Sequence, residues 1–149
     1  MWCNGSSRFK CWLLEWIGGR ESDGAQAEHL AAQWLAQHRG MRLVAQNWRN
    51  PADRREEIDL VLRDGSEMVF VEVKARASSA LVPGYYSVGR VKRAVLRRAV
   101  NAYLSALRGR PQRFRFDIVE VEIIPDRPAT SWLVRHFPGV PLCDPNVRR

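Results

Sequence analysis

Residues 57–74 read Glu57-Ile58-Asp59-Leu60-Val61-Leu62-Arg63-Asp64-Gly65-Ser66-Glu67-Met68-Val69-Phe70-Val71-Glu72-Val73-Lys74. Two β-rich runs flank an Asp-Gly step, a strong signal for a two-residue hairpin because those residues tolerate the positive φ that such turns require. A β-hairpin with strands over 57–63 and 67–74 is predicted. Whether the turn sits at Asp64-Gly65 or at Gly65-Ser66, odd-numbered residues of the first strand oppose even-numbered residues of the second. Side chains alternate between faces along a strand. Glu57, Asp59, Glu72 and Lys74 are therefore expected on one face with Val61, Met68 and Phe70, and Ile58, Leu60 and Leu62 on the other. Residues directly opposed across a hairpin lie about 5 Å apart at Cβ, and diagonal ones about 7 to 8 Å, so two carboxylates placed in this way can reach one cation.

Outward from the hairpin, helix and strand periods alternate. Ala27, Leu30, Ala31, Trp34 and Leu35 recur at helical spacing behind Asp23, a candidate N-cap, and ahead of Gly40, a stop signal, predicting a helix over 24–38. Residues 41–48 suit a short strand and residues 47–53, with Pro51, a loop. After the hairpin, residues 78–89 contain Pro83-Gly84 and read as a loop. Val91, Val95, Leu96, Ala99, Val100, Tyr103 and Leu107 then mark a long basic helix over 88–107, and residues 115–124 alternate as a fourth strand. A strand, a crossover helix and a further strand imply parallel pairing with a right-handed connection. The fold class expected is α/β, a central mixed β-sheet flanked by helices in the order α-β-β-β-α-β. Residues 1–23 are expected to be an appendage with one short helical turn, 24–124 the domain, and 125–149 a peripheral tail.

The chain has 149 residues, enough for one core, and a formal net charge of +8, which favours a polyanionic partner such as nucleic acid or an anionic membrane surface. Residues 75–116 carry ten basic side chains and no Asp or Glu. Arg76, Arg90, Lys92, Arg93 and Arg97 are the expected phosphate contacts, because neutralising phosphates releases condensed counterions. The same run would otherwise be a solvated outer face. Cys3, Cys11 and Cys143 are odd in number and lack Cys-x-x-Cys spacing, so neither a disulfide framework nor a zinc site is expected. His29, His38 and His136 show no metal spacing either. The apolar stretch over residues 11–17 is short and interrupted by Glu15, which excludes a secretory core or a membrane span and points to the cytoplasm.

The acidic hairpin face suits Mg²⁺ or Mn²⁺. Mg²⁺ prefers hard oxygen ligands and retains several waters, matching two carboxylates and a substrate phosphate better than a closed protein cage. Lys74, two residues beyond Glu72, is placed to orient a water and to stabilise a phosphoryl anion. Set against this is the plainer reading of a solvated strand face with a Glu72/Lys74 ion pair.

Several ordered segments carry a family resemblance: Gly24-Ala25-Gln26-Ala27-Glu28, Asn47-Trp48-Arg49, Glu57-Ile58-Asp59-Leu60, Val69-Phe70-Val71-Glu72-Val73-Lys74-Ala75-Arg76 and Arg113-Phe114-Arg115-Phe116-Asp117. Together, over roughly residues 24–122, they resemble the YraN-like family of bacterial proteins. The resemblance implies a PD-(D/E)xK, restriction-endonuclease-like fold similar to archaeal Holliday-junction resolvases. It further implies a Mg²⁺-dependent endonuclease acting on nucleic acid, with branched DNA as the structure-specific substrate and, by analogy, a homodimer. On that pattern Asp59 and Glu72 are the paired acids, Lys74 the lysine, and Glu28 a helix-borne acid joining the metal site. Glu56 stands where the family usually has Gly, and residues 78–87 lack its usual Phe-Gly step. The alternative is a non-catalytic DNA- or RNA-binding module, or a structural partner in a DNA-processing complex.

Overall fold

The computed structural model describes residues 22–77, 89–109 and 111–142. The expected N-terminal helical turn, most of the loop after the hairpin and all three cysteines lie outside the described residues. Element order is α1 (Asp23–Arg39), β1 (Arg42–Arg49), β2 (Glu57–Asp64), β3 (Glu67–Ala77), α2 (Arg90–Ala106), β4 (Phe114–Ile123), a 3₁₀ turn (Ala129–Ser131) and β5 (Leu133–Phe137).

Local chemistry sets the boundaries. Helix α1 is capped by Ser22, whose hydroxyl accepts from the Ala25 N–H, while Asp23, the expected cap, lies in the first turn. There its negative charge faces the positive end of the helix dipole. Gly40 ends α1 at φ 67°, a left-handed conformation that costs a residue without Cβ least. The hairpin turn is at Gly65-Ser66, with Gly65 at φ 59° and Asp64 paired with Glu67.

The five strands form one sheet in the order β1-β2-β3-β4-β5. Only β3 and β4 run parallel, joined through α2, so the sheet is mixed as expected. Helices cover both faces. Against α2 lie Ile58, Val61, Met68, Phe70, Phe116 and Ile118, packed on Leu96, Ala99, Val100, Tyr103 and Leu104. Against α1 lie Leu60, Leu62, Val69, Val71, Val119, Val121 and Trp132, packed on Ala27, Ala31, Ala32, Leu35 and Met41. Each fully buried Leu, Ile, Val or Phe contributes about 1.5–3 kcal/mol, so the two layers fix the sheet as a rigid platform. No described helix is long and apolar enough to cross a membrane.

Two findings differ from the sequence expectations. First, residues 125–142 are more than a peripheral tail: β5 pairs antiparallel with β4, and Trp132 and Val140 are buried. Asp117, fully buried, anchors this closure by accepting from Arg115 Nε, the Gly139 N–H and, at 2.8 Å, pairing with His136 Nε2. Arg115 also reaches Asp64 and Glu67 at the hairpin end, tying β2, β3 and β4 together.

Second, strict alternation fails at one point of β2. Ile58 joins Val61 and Phe70 on the α2 side, whereas Leu60 and Leu62 join the α1 side. The break falls at Asp59. On the neighbouring strand, where Gln46 pairs with Leu60 and Trp48 with Ile58, the intervening Asn47 takes φ 50°. Asn is among the few side chains that tolerate this region, and Ala45 and Trp48 consequently both pack on the α2 side.

Candidate metal and phosphate site

The ladder between β2 and β3 runs from Asp64↔Glu67 to Leu60↔Val71. One step further the strands part, and the Asp59 side chain takes over: its Oδ2 accepts from the Val73 N–H at 2.7 Å. Asp59 thus points along the sheet toward β3. Glu72 follows Phe70 on the α2 side and is 3% exposed. Its Oε1 accepts from Lys74 Nζ at 2.8 Å and lies 3.1 Å from Lys92 Nζ, which reaches down from the first turn of α2. Its Oε2 is buried without a hydrogen-bond partner among the described residues.

The expectation that Glu57, Asp59, Glu72 and Lys74 share one face is corrected in two respects. Asp59 lies in the plane of the sheet at the break. With Ile58 turned toward α2, the next residue out, Glu57, is turned toward α1, where Arg49 holds it at 3.1 Å. Glu72 and Lys74 do share a face and meet. Glu28 approaches from α1. Burial pushes its carboxyl above the usual range, side-chain hydrogen bonds to Asn47 and Gln46 oppose this, and the charges of Glu57 and Glu72 add to it.

The electrostatics of the cluster follow from its crowding. Burial, then the adjacent Glu72 charge, push the Asp59 carboxyl up to about 7; the Val73 N–H and Lys92 restrain the rise and Glu28 adds to it. Three acidic side chains from α1, β2 and β3 therefore sense one another at the end of the sheet where β2 and β3 separate. Among the described residues, no group of three His, Cys, Asp or Glu side chains is gathered closely enough to enclose a metal unaided.

The cationic run over 75–116 is partly neutralised in space. Arg98 binds the buried Glu56 at 2.6 Å, Arg115 binds three acids, and Lys92 binds Glu72. The run is therefore less cationic in space than its ten basic side chains and lack of acids suggest along the chain. Arg90, Arg93 and Arg97 occupy α2 at spacings of three and four, which places them along one stripe of the helix. Arg90 and Arg97 are exposed, and Arg76 is half-buried on β3 beyond Lys74. Glu56 also accepts from the Asn50 side-chain amide at 2.8 Å, so its carboxylate ties the β1–β2 loop to α2. Sequence reasoning did not foresee this latch, the Lys92 contact or the Val73 N–H. The Asn at position 47 was the available clue to a backbone break opposite Asp59.

Residues 27–121 match the profile of the uncharacterised protein family UPF0102. A UPF0102 protein of Anaeromyxobacter dehalogenans is 40% identical over 121 residues, covering 81% of this chain and 84% of that relative. Another, of Nocardia farcinica, is 37% identical over 126 residues, covering 84% and 96% respectively. A third, of Chlorobium limicola, is 34% identical over 116 residues, covering 76% and 87%. With most of its length matched in this way, the chain belongs to the UPF0102 family, the YraN-like family that its ordered motifs resemble.

Proposed function

We propose that the chain is a divalent-cation-dependent nuclease hydrolysing phosphodiester bonds in nucleic acid, with branched DNA as the substrate suggested by the family resemblance. The observation that carries this reading is the Glu72 carboxylate, buried with one oxygen unpartnered, beside an Asp59 carboxyl raised to about 7. Crowded, buried carboxylates are costly, and although Lys74 and Lys92 both sit on Glu72 Oε1, the second oxygen is left without a partner beside Asp59, a set of hard oxygens at a sheet end that Mg²⁺ or Mn²⁺ would relieve. The donor set fits an open site: two carboxylates, with Glu28 behind them, and the remaining positions left to waters and phosphate oxygens. Asp59 and Glu72 would hold the ion. Bound there, the cation would lower the pKa of a water and offset charge on the phosphorus.

The chain's own groups do the rest. Lys74 Nζ, already at the carboxylate, would hydrogen-bond the attacking water and a non-bridging phosphate oxygen, fixing the line of approach. The Val73 N–H holds one Asp59 oxygen and so orients the other. Arg90, Arg93 and Arg97 on α2, with Arg76 on β3, would grip flanking phosphates and set the strand across the sheet end. A second reading, a nucleic-acid-binding module without turnover, is favoured by the lack of any tightly gathered acidic triad among the described residues.

Cleavage of branched, flapped and single-stranded DNA with Mg²⁺ or Mn²⁺, compared with Asp59→Ala, separates the two readings. Metal-dependent nicking by the wild type and none by the variant is the expected outcome. Binding of the same DNAs by both proteins with no cutting in either metal would overturn the nuclease assignment in favour of the binding module.

A further inference from the structure

Two ammonium groups on a single carboxylate oxygen is an unusual arrangement. Lys74 and Lys92 both sit on Glu72 Oε1, at 2.8 and 3.1 Å, while Oε2 has no partner among the described residues. One lysine suffices to neutralise one carboxylate, and two cations on one oxygen repel each other. The second ammonium also acts on the neighbouring Asp59 carboxyl, whose rise it restrains. The two lysines are not equivalent. Lys74 sits on β3 two residues from Glu72, with its side chain 26% exposed, and the strand backbone fixes its origin. Lys92 reaches across from α2 on a flexible four-carbon stem, makes the longer contact, and has a side chain 42% exposed. Its other neighbours on that turn are Arg90 and Arg93, the start of the basic stripe.

We propose that Lys92 is an exchangeable counterion of Glu72, resting on the nuclease reading above. Without a divalent ion its ammonium neutralises the acidic pocket and keeps the carboxylates in place. With the ion held by Asp59 and Glu72, the pocket no longer needs a second ammonium, and Lys92 swings outward to a phosphate of the bound strand. Lys74 stays. Cation occupancy and nucleic-acid grip are thereby linked through one side chain. Lys92 is a positioning residue for the acidic pair and a phosphate contact only once displaced.

The test is Mn²⁺ titration of the full chain by calorimetry, without DNA, for the wild type, Lys92→Met and Lys92→Arg. Methionine keeps the apolar stem and removes the competitor, so Mn²⁺ should bind Lys92→Met about tenfold more tightly than the wild type, the scale of the one charge-assisted hydrogen bond that the ion no longer has to displace. Lys92→Arg should restore wild-type affinity. In parallel, branched DNA in Ca²⁺ should bind Lys92→Met more weakly, with a salt-dependence slope shallower by about one. Equal or weaker Mn²⁺ binding by Lys92→Met, in a protein whose wild type binds Mn²⁺ and cuts DNA, overturns this inference alone. A wild type that binds no Mn²⁺ overturns the nuclease reading with it.

Discussion

Replacing Asp59 by Asn should make the protein more stable and less functional, and the size of the gain can be worked from the site. The Asp59 carboxyl ordinarily titrates near 3.8 and is pushed up to about 7 in the folded chain, first by burial and then by Glu72. A raised carboxyl keeps its proton in the folded state after the unfolded chain has released it. Below about pH 4 both states are protonated and the group costs nothing. Between about pH 4 and pH 7 stability falls, and above pH 7 the full penalty applies. At about 1.4 kcal/mol per pH unit, a difference of about three units gives an upper bound of about 4 kcal/mol. Asn cannot ionise. Its carbonyl oxygen can accept from the Val73 N–H, as Asp59 Oδ2 does, and its neutral amide carries no charge to be repelled by Glu72. Urea unfolding in metal-free buffer should therefore show Asp59→Asn more stable than wild type by about 1–4 kcal/mol at pH 8. The gap should close near pH 4. Added Mg²⁺ should narrow it at pH 8 by stabilising the wild type alone. An Asp59→Asn variant that is no more stable than wild type at pH 8 would refute the reasoning, because the acidic pocket would then not be under electrostatic load.

Two further outcomes follow from other parts of the molecule. Asp117→Ala leaves Arg115, His136 and the Gly139 N–H without their buried acceptor, and should cost about 3–5 kcal/mol in urea unfolding, with β5 amides exchanging early in hydrogen-exchange measurements. Arg97→Ala, at an exposed position of the α2 stripe, should leave stability unchanged while weakening DNA binding and reducing its salt slope by about one, measured by fluorescence anisotropy.

The hairpin, both helices and the parallel β3–β4 pair were legible because each rests on a repeating local signal: Asp-Gly at the turn, a stripe of Ala and Leu on α1, and alternation in β4. The fifth strand was not. Arg135 and His136 interrupt the hydrophobic alternation of residues 133–137, and their placement depends on ion pairs with Glu120, Glu122 and Asp117, well back in the chain. That Asp59 and Glu72 come close enough at one sheet end to act on each other was readable from the hairpin. The orientation of Asp59 was not, because the break that turns it into the sheet plane depends on the backbone of two strands at once, Asn47 beside Asp59. The basic run over 75–116 overstated the cationic surface for a similar reason. Arg98 and Arg115 meet acids that are distant in sequence, namely Glu56, Asp64 and Glu67.

A crystal structure obtained in Mn²⁺ tests the central claim most directly, because Mn²⁺ scatters anomalously and locates itself. The expected result is a single strong anomalous peak within coordination distance of an Asp59 carboxyl oxygen and Glu72 Oε2, with Lys74 still close to Glu72. An anomalous map with no peak there, with Asp59 on the Val73 N–H and Glu72 on its two lysines as before, would contradict the assignment of this sheet end as a metal-dependent phosphodiester-cleaving centre.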